Sequence, residues 1–127
     1  MAGRRKILLI DHEPASSYMI TMLLKLNDYD VVPYFEPDSA LSSFRRGLYD
    51  LILINMEIPA INGFELYKEM RKIDDKAKVC FITDQRARYA DEFTALFPDF
   101  PSARLAEMPV TSEDLLNIIG LNFANND

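Results

Sequence analysis

A parallel α/β sheet wound on both faces by helices is the fold class this sequence predicts, and three observations carry it. Short strand-type apolar runs alternate with longer amphipathic segments along the whole chain. Three of those runs are continuously apolar, as parallel strands covered on both faces must be. A fourth is interrupted by Pro33, which lacks the N–H that a ladder needs and so belongs at a sheet edge.

Taken in order, Lys6–Ile10 reads as the first strand and Pro14–Leu26 as the first helix, with proline in its opening turn. Tyr18, Met22 and Leu26 recur every four residues there and predict an apolar stripe. Val31–Phe35 is the edge strand, and Pro37–Arg46 is a helix stopped by Gly47. Leu51–Ile54 is a buried strand; Phe64–Ile73 is a helix that Asn62 is placed to cap. Lys78–Thr83 and Arg104–Glu107 are the fourth and fifth strands, with the helix Arg86–Phe97 between them. The last helix, Thr111–Leu121, opens with Thr111 and Asp114 at capping-box spacing, and Asn122 to Asp127 read as a frayed tail. Strict β-α alternation implies right-handed crossovers. Five such units over residues 1–127 predict one flavodoxin-like (βα)5 domain with strand order 2-1-3-4-5. Asp11, Asn55, Thr83 and Met108 then meet at the carboxyl ends of the strands.

Composition narrows the function. The 127 residues are 49% apolar and 27% charged, an ordinary globular balance that supports a single core. A formal charge of −6 disfavours nucleic-acid binding, and Arg4-Arg5-Lys6 reads as a solvated flank. The single cysteine, Cys80, lies in an apolar run and reads as a small buried hydrophobe. No apolar stretch is long enough for a membrane span and no signal sequence is apparent, so a cytoplasmic location is expected.

The stretch from Lys6 to Pro14, ending Asp11-His12-Glu13-Pro14, resembles the opening of response-regulator receiver domains. The resemblance continues through Asp50 to Gly63, Phe81-Ile82-Thr83-Asp84 and Met108-Pro109, and so covers the whole chain. It implies a two-component signalling module rather than an enzyme, with a histidine kinase or another signalling protein as partner. It also implies where this chain departs from its family. Asn55 stands at the position of the phosphoacceptor aspartate, and a carboxamide cannot form the acyl phosphate. His12 occupies the second acidic position of the magnesium site, and Met108 stands where the family carries a lysine. Thr83 matches the hydroxyl residue that bonds the phosphoryl group, with a local hydrogen bond to a loop as its alternative role. Leu105 falls where an aromatic switch residue is expected, and the peptide before Pro109 is commonly cis in the family.

A hard dication takes most of its stabilisation from anionic oxygens. With Asp11 as the retained core carboxylate and Glu57 as an auxiliary oxygen, no cofactor is expected beyond weak magnesium binding. Zinc at His12 has no supporting ligand spacing. Met108 is expected to pack over the crevice. The leading expectation is therefore a degenerate receiver without an output domain, working by phosphorylation-independent protein contact. Partner docking or a homodimer would use the face of the fourth helix, fifth strand and fifth helix, with Tyr89, Phe93, Phe97 and Leu105 as candidates. Burial of these Phe residues against the sheet is the alternative. Two other functions stay open: a phosphoacceptor receiver in which Asn55 is an engineered substitution, and a sensor of a small ligand in an apolar crevice formed by Met56, Ile58 and Met108.

Overall fold

The computed structural model describes residues 4–98, 103–108 and 111–123. Its elements are β1 (Lys6–Ile10), α1 (Pro14–Leu26), β2 (Asp30–Tyr34), α2 (Pro37–Ser43), β3 (Leu51–Asn55), α3 (Gly63–Ile73), β4 (Lys78–Thr83), α4 (Arg86–Leu96), β5 (Ala103–Glu107) and α5 (Ser112–Leu121). The five strands pair in parallel in the order β2-β1-β3-β4-β5, the flavodoxin-like winding expected from the sequence. Pro33 lies exposed on the edge strand, where its missing N–H costs no ladder bond.

Alternate residues of the central strands feed two apolar layers. Leu8, Ile10, Ile52, Ile54, Val79 and Phe81 face a layer with Phe44, Phe64, Tyr67 and Met70. Ile7, Leu9, Leu51, Leu53, Cys80 and Ile82 face the other, with Ile20 and Leu24 of α1 and Leu115 and Ile119 of α5. The first layer is strongly aromatic. Phe64 meets Phe81 edge-on at 4.8 Å, and Phe97 stacks on Phe81 at 5.7 Å. Inside it, the Tyr67 hydroxyl donates to the Ala77 carbonyl at 2.7 Å, which satisfies a phenol that would otherwise be buried unpaired.

Helix ends follow local chemistry. The Asn62 side chain accepts from the Phe64 N–H and the Thr111 hydroxyl from the Asp114 N–H, as their spacing predicts. Gly63 is closely packed: a Cβ there would lie 2.7 Å from Met56 Sδ and 3.2 Å from Ile54 Cγ2, so the Met56 side chain would have to shift. The peptide before Pro109 lies outside the described residues.

Three expectations fail. The Tyr18, Met22, Leu26 stripe faces solvent, at 69%, 45% and 77% exposure, and α1 instead buries Ser17, Ile20 and Leu24. The sheet is covered by the neighbouring face, where Ile20 and Leu24 join its apolar layer. Helix α2 ends at Ser43 rather than Arg46, because Phe44 leaves the helix to bury itself and stack on Tyr49 at 6.0 Å. Gly47 serves the turn beyond, at φ +74°, a conformation open to glycine without a Cβ penalty. Asn122 and Phe123, read as the start of the tail, are instead buried, with Phe123 stacked on Tyr29; residues 124–127 of that expected tail lie outside the described residues.

Burial pushes the Cys80 thiol up from 9.0 to about 12, against smaller opposing effects from Asn122 and Arg104. A raised thiol pKa stabilises the fold fully below 9.0 and loses that contribution as pH climbs towards about 12. We therefore expect Cys80 to resist alkylation in the native state at neutral pH. The stability difference between the protein and Cys80→Ala, read by urea denaturation, should shift against the wild type across that alkaline window.

Candidate functional site

The carboxyl ends of β1, β3 and β4 bring Asp11, Asn55 and Thr83 together at one edge of the sheet, with Met108 following β5. Asp11 is fully buried. Its Oδ1 accepts from the Glu13 N–H at 3.0 Å and from Asn55 Nδ2 at 3.4 Å, while its Oδ2 has no partner. Asn55 is 7% exposed, and its Oδ1 accepts from the Glu57 N–H at 2.9 Å. The carboxamide thus uses both ends locally, one towards Asp11 and one towards the loop beyond β3.

Thr83, also fully buried, is committed in both directions. Its hydroxyl donates to Glu57 Oε1 at 2.8 Å and accepts from the Gln85 N–H at 2.9 Å. Gln85 Nε2 adds a longer bond of 3.4 Å to the same carboxylate oxygen. This Thr83–Glu57–Gln85 link joins the loop after β3 to the loop after β4, immediately before α4. Hydrogen bonds to a carboxylate are stronger than those between neutral groups, which strengthens this link between the two loops. The sequence reading missed Gln85 and gave Glu57 a minor part. A signal was present: Glu57 and Gln85 each lie two residues past the end of a neighbouring parallel strand.

The other site residues turn outwards or aside. His12 is exposed, and its Nδ1 lies 3.6 Å from Glu36 Oε1, an ion pair only when the imidazole is protonated. Met108 is half-buried against the α1 and α5 layer, beside Ile20, Leu23 and Leu115, and its N–H donates to the Thr83 carbonyl. Of the proposed contact residues, Phe97 and Leu105 are buried in the aromatic layer, and Tyr89 and Phe93 are half-buried against it. Among the described residues the burial alternative is therefore the one observed for Phe93 and Phe97; Phe100 lies outside them. Phe81, the β4 partner of Leu105, packs within that layer, and the Leu105 carbonyl accepts from Arg86 Nε at 3.2 Å.

The family's magnesium does not fit the donors present. The glutamate that could supplement Asp11 has turned to Thr83, and Asn55 Oδ1 is taken by a backbone N–H. Asp11 Oδ2 is buried without a hydrogen-bond partner, and a single core carboxylate supplies little of the anionic stabilisation that a hard dication draws from its ligands. Among the described residues no group of three or more His, Cys, Asp and Glu side chains could hold a metal ion.

Residues 7–96 match the response regulator receiver domain family. The chain belongs to that family. Receiver domains of response regulators act in two-component signalling, with histidine kinases among their partners. The curated relatives include the transcriptional regulatory protein DltR of Streptococcus agalactiae, 27% identical over 116 residues, which cover 91% of this chain and 50% of DltR. The response regulator ArlR of Staphylococcus saprophyticus is 28% identical over 111 residues, covering 87% of this chain and 49% of ArlR. This receiver chain spans half or less of the length of these relatives. In fold it is similar to the non-phosphorylated HemR receiver domain from Leptospira biflexa, with a TM-score of 0.85, 19% identity and 98% of each chain covered. No helix among the described residues is long and apolar enough to cross a membrane.

Replacing Thr83 with valine keeps the shape but removes both bonds to the hydroxyl. We expect Thr83→Val to lower stability by about 1–3 kcal/mol in urea denaturation and to move the Gln85 amide resonance. An unchanged midpoint and an unmoved Gln85 amide would contradict the link.

Proposed function

We propose that this receiver domain signals by protein–protein contact without being phosphorylated. One observation carries the reading: Thr83, at the position of the family's phosphoryl-sensing hydroxyl, is occupied by the chain's own Glu57 carboxylate. Asn55 supplies no nucleophilic carboxylate, Met108 no cation, and Asp11 as the one retained core carboxylate would hold magnesium only weakly. Each loss removes a different requirement of phosphoryl transfer: the acceptor, charge neutralisation, and the metal that screens repulsion. The domain is in this reading a degenerate receiver whose crevice is stabilised by its internal anion.

A protein partner would then read the surface as it stands. The face of α4, β5 and α5 remains a candidate, for a partner or for a second copy, through its exposed residues rather than through Phe97 and Leu105. The transcriptional regulatory names of the relatives favour a partner in a gene-control pathway.

The test is capture of partners from lysate on the immobilised protein, with and without acetyl phosphate and magnesium. We expect the same proteins in both samples and their retention when Asn55 is changed to alanine. A partner recovered only after phosphodonor treatment would defeat the reading.

A further inference from the structure

Helix α1 is apolar on the side that faces away from the sheet as well as on the side that covers it. Ile20 and Leu24 bury against the strands. On the opposite side Tyr18 is 69%, Met19 62%, Met22 45% and Leu26 77% exposed, and Ala15 is exposed as well. The helical repeat sets these five positions on one face about 100° wide. From Pro14 to Leu26 the only charged residue is Lys25. Helices α3 and α4 differ: α3 turns Glu65, Lys68 and Lys72 to solvent, and α4 turns Arg88, Asp91 and Glu92. A helix that is apolar all round is ordinarily covered all round, and among the described residues nothing covers this face of α1.

Area and charge both favour a second copy as the cover. At these exposures the four long side chains present on the order of 500 Å² of largely apolar surface, in the size range of functional patches. Two copies set face to face would bury about 1,000 Å² through these side chains alone, the size at which a specific interface begins. A two-fold contact brings each charge near its own copy, and the acidic surface of a chain of net charge −6 repels its own kind. The outward face of α1 escapes that repulsion, with Lys25 at its margin as its one charge. The stripe is also symmetric about Met22, with Tyr18 four residues before it and Leu26 four after. An antiparallel crossing there sets Tyr18 of one copy against Leu26 of the other and keeps the two Lys25 residues about 9 Å apart along the axis. A lipid surface suits the face less, because interfacial helices carry a polar side rich in Lys and Arg.

We propose that the outward face of α1 is a homodimer interface, covered by the same face of a second copy of this chain. Met22 lies on the two-fold axis, Tyr18 and Leu26 flank it from the two helices, and Ala15 and Met19 complete the contact. The interface belongs to the α1 and α5 layer, on the opposite side of the sheet from the layer that α4 joins. It is distinct from the face of α4, β5 and α5 and does not depend on how the crevice signals.

Sedimentation velocity over a concentration series of the full chain tests this. A reversible dimer is expected, with a Kd of about 100 µM or tighter. Met22→Glu sets like charges together on the axis and should weaken the dimer roughly tenfold or more, and its thermal melt checks that it folds. Met22→Cys should give a disulfide-linked dimer under mild oxidation, because a residue on the axis meets its own copy, while the buried Cys80 stays out of the reaction. Leu121→Cys, at an exposed position on α5, should not. A protein still monomeric at about 1 mM would overturn the proposal. So would undiminished dimerisation of a folded Met22→Glu, or cross-linking of Leu121→Cys equal to that of Met22→Cys. A chain that stays monomeric and takes up a different protein or a lipid vesicle on this face would overturn it as well.

Discussion

Burial of β1, β3 and β4 on both faces is the constraint from which the rest of the molecule follows. Every residue from Ile7 to Ile10, Leu51 to Ile54 and Val79 to Ile82 is 0% exposed. Full burial of one such side chain contributes about 1.5–3 kcal/mol, so neither face can be surrendered to solvent. Covering both faces requires helices between successive strands, and those crossovers turn all five strands the same way. The carboxyl ends then share one edge of the sheet and the amino ends the other. Asp11, Asn55 and Thr83 meet because of that.

Internal hydrogen bonds govern the crevice. A receiver site concentrates negative charge and balances it with a metal and a cation. Here the polar groups are balanced largely by one another: the Asn55 carboxamide bridges Asp11 and the loop, and Glu57 is held by Thr83 and Gln85. Asp11 Oδ2 is buried without a hydrogen-bond partner. The network ties two loops together without any external group, and one of them leads directly into α4.

The fold was legible in the sequence because strands covered on both faces are apolar at every position, as Ile7–Ile10 and Leu51–Ile54 are, and Pro33 marked the edge. Caps were legible where one side chain decides, as at Asn62 and Thr111. The orientation of α1 was not, because Tyr18, Met22 and Leu26 offer as apolar a stripe as Ser17, Ile20 and Leu24, and only contact with the sheet chooses between them. The end of α2 was hidden because the gain from burying Phe44 on Tyr49 is not local. At the site, the identities of Asp11, Asn55 and Thr83 could be read along the chain. The Glu57–Thr83 bond could not, since it spans two loops whose positions depend on strand register.

The central claim is that this crevice does not accept a phosphoryl group, and intact-mass spectrometry after incubation with magnesium and acetyl phosphate tests it most directly. The account predicts a mass unchanged from the untreated protein. A stoichiometric phosphoryl adduct mapped to a crevice residue would contradict it.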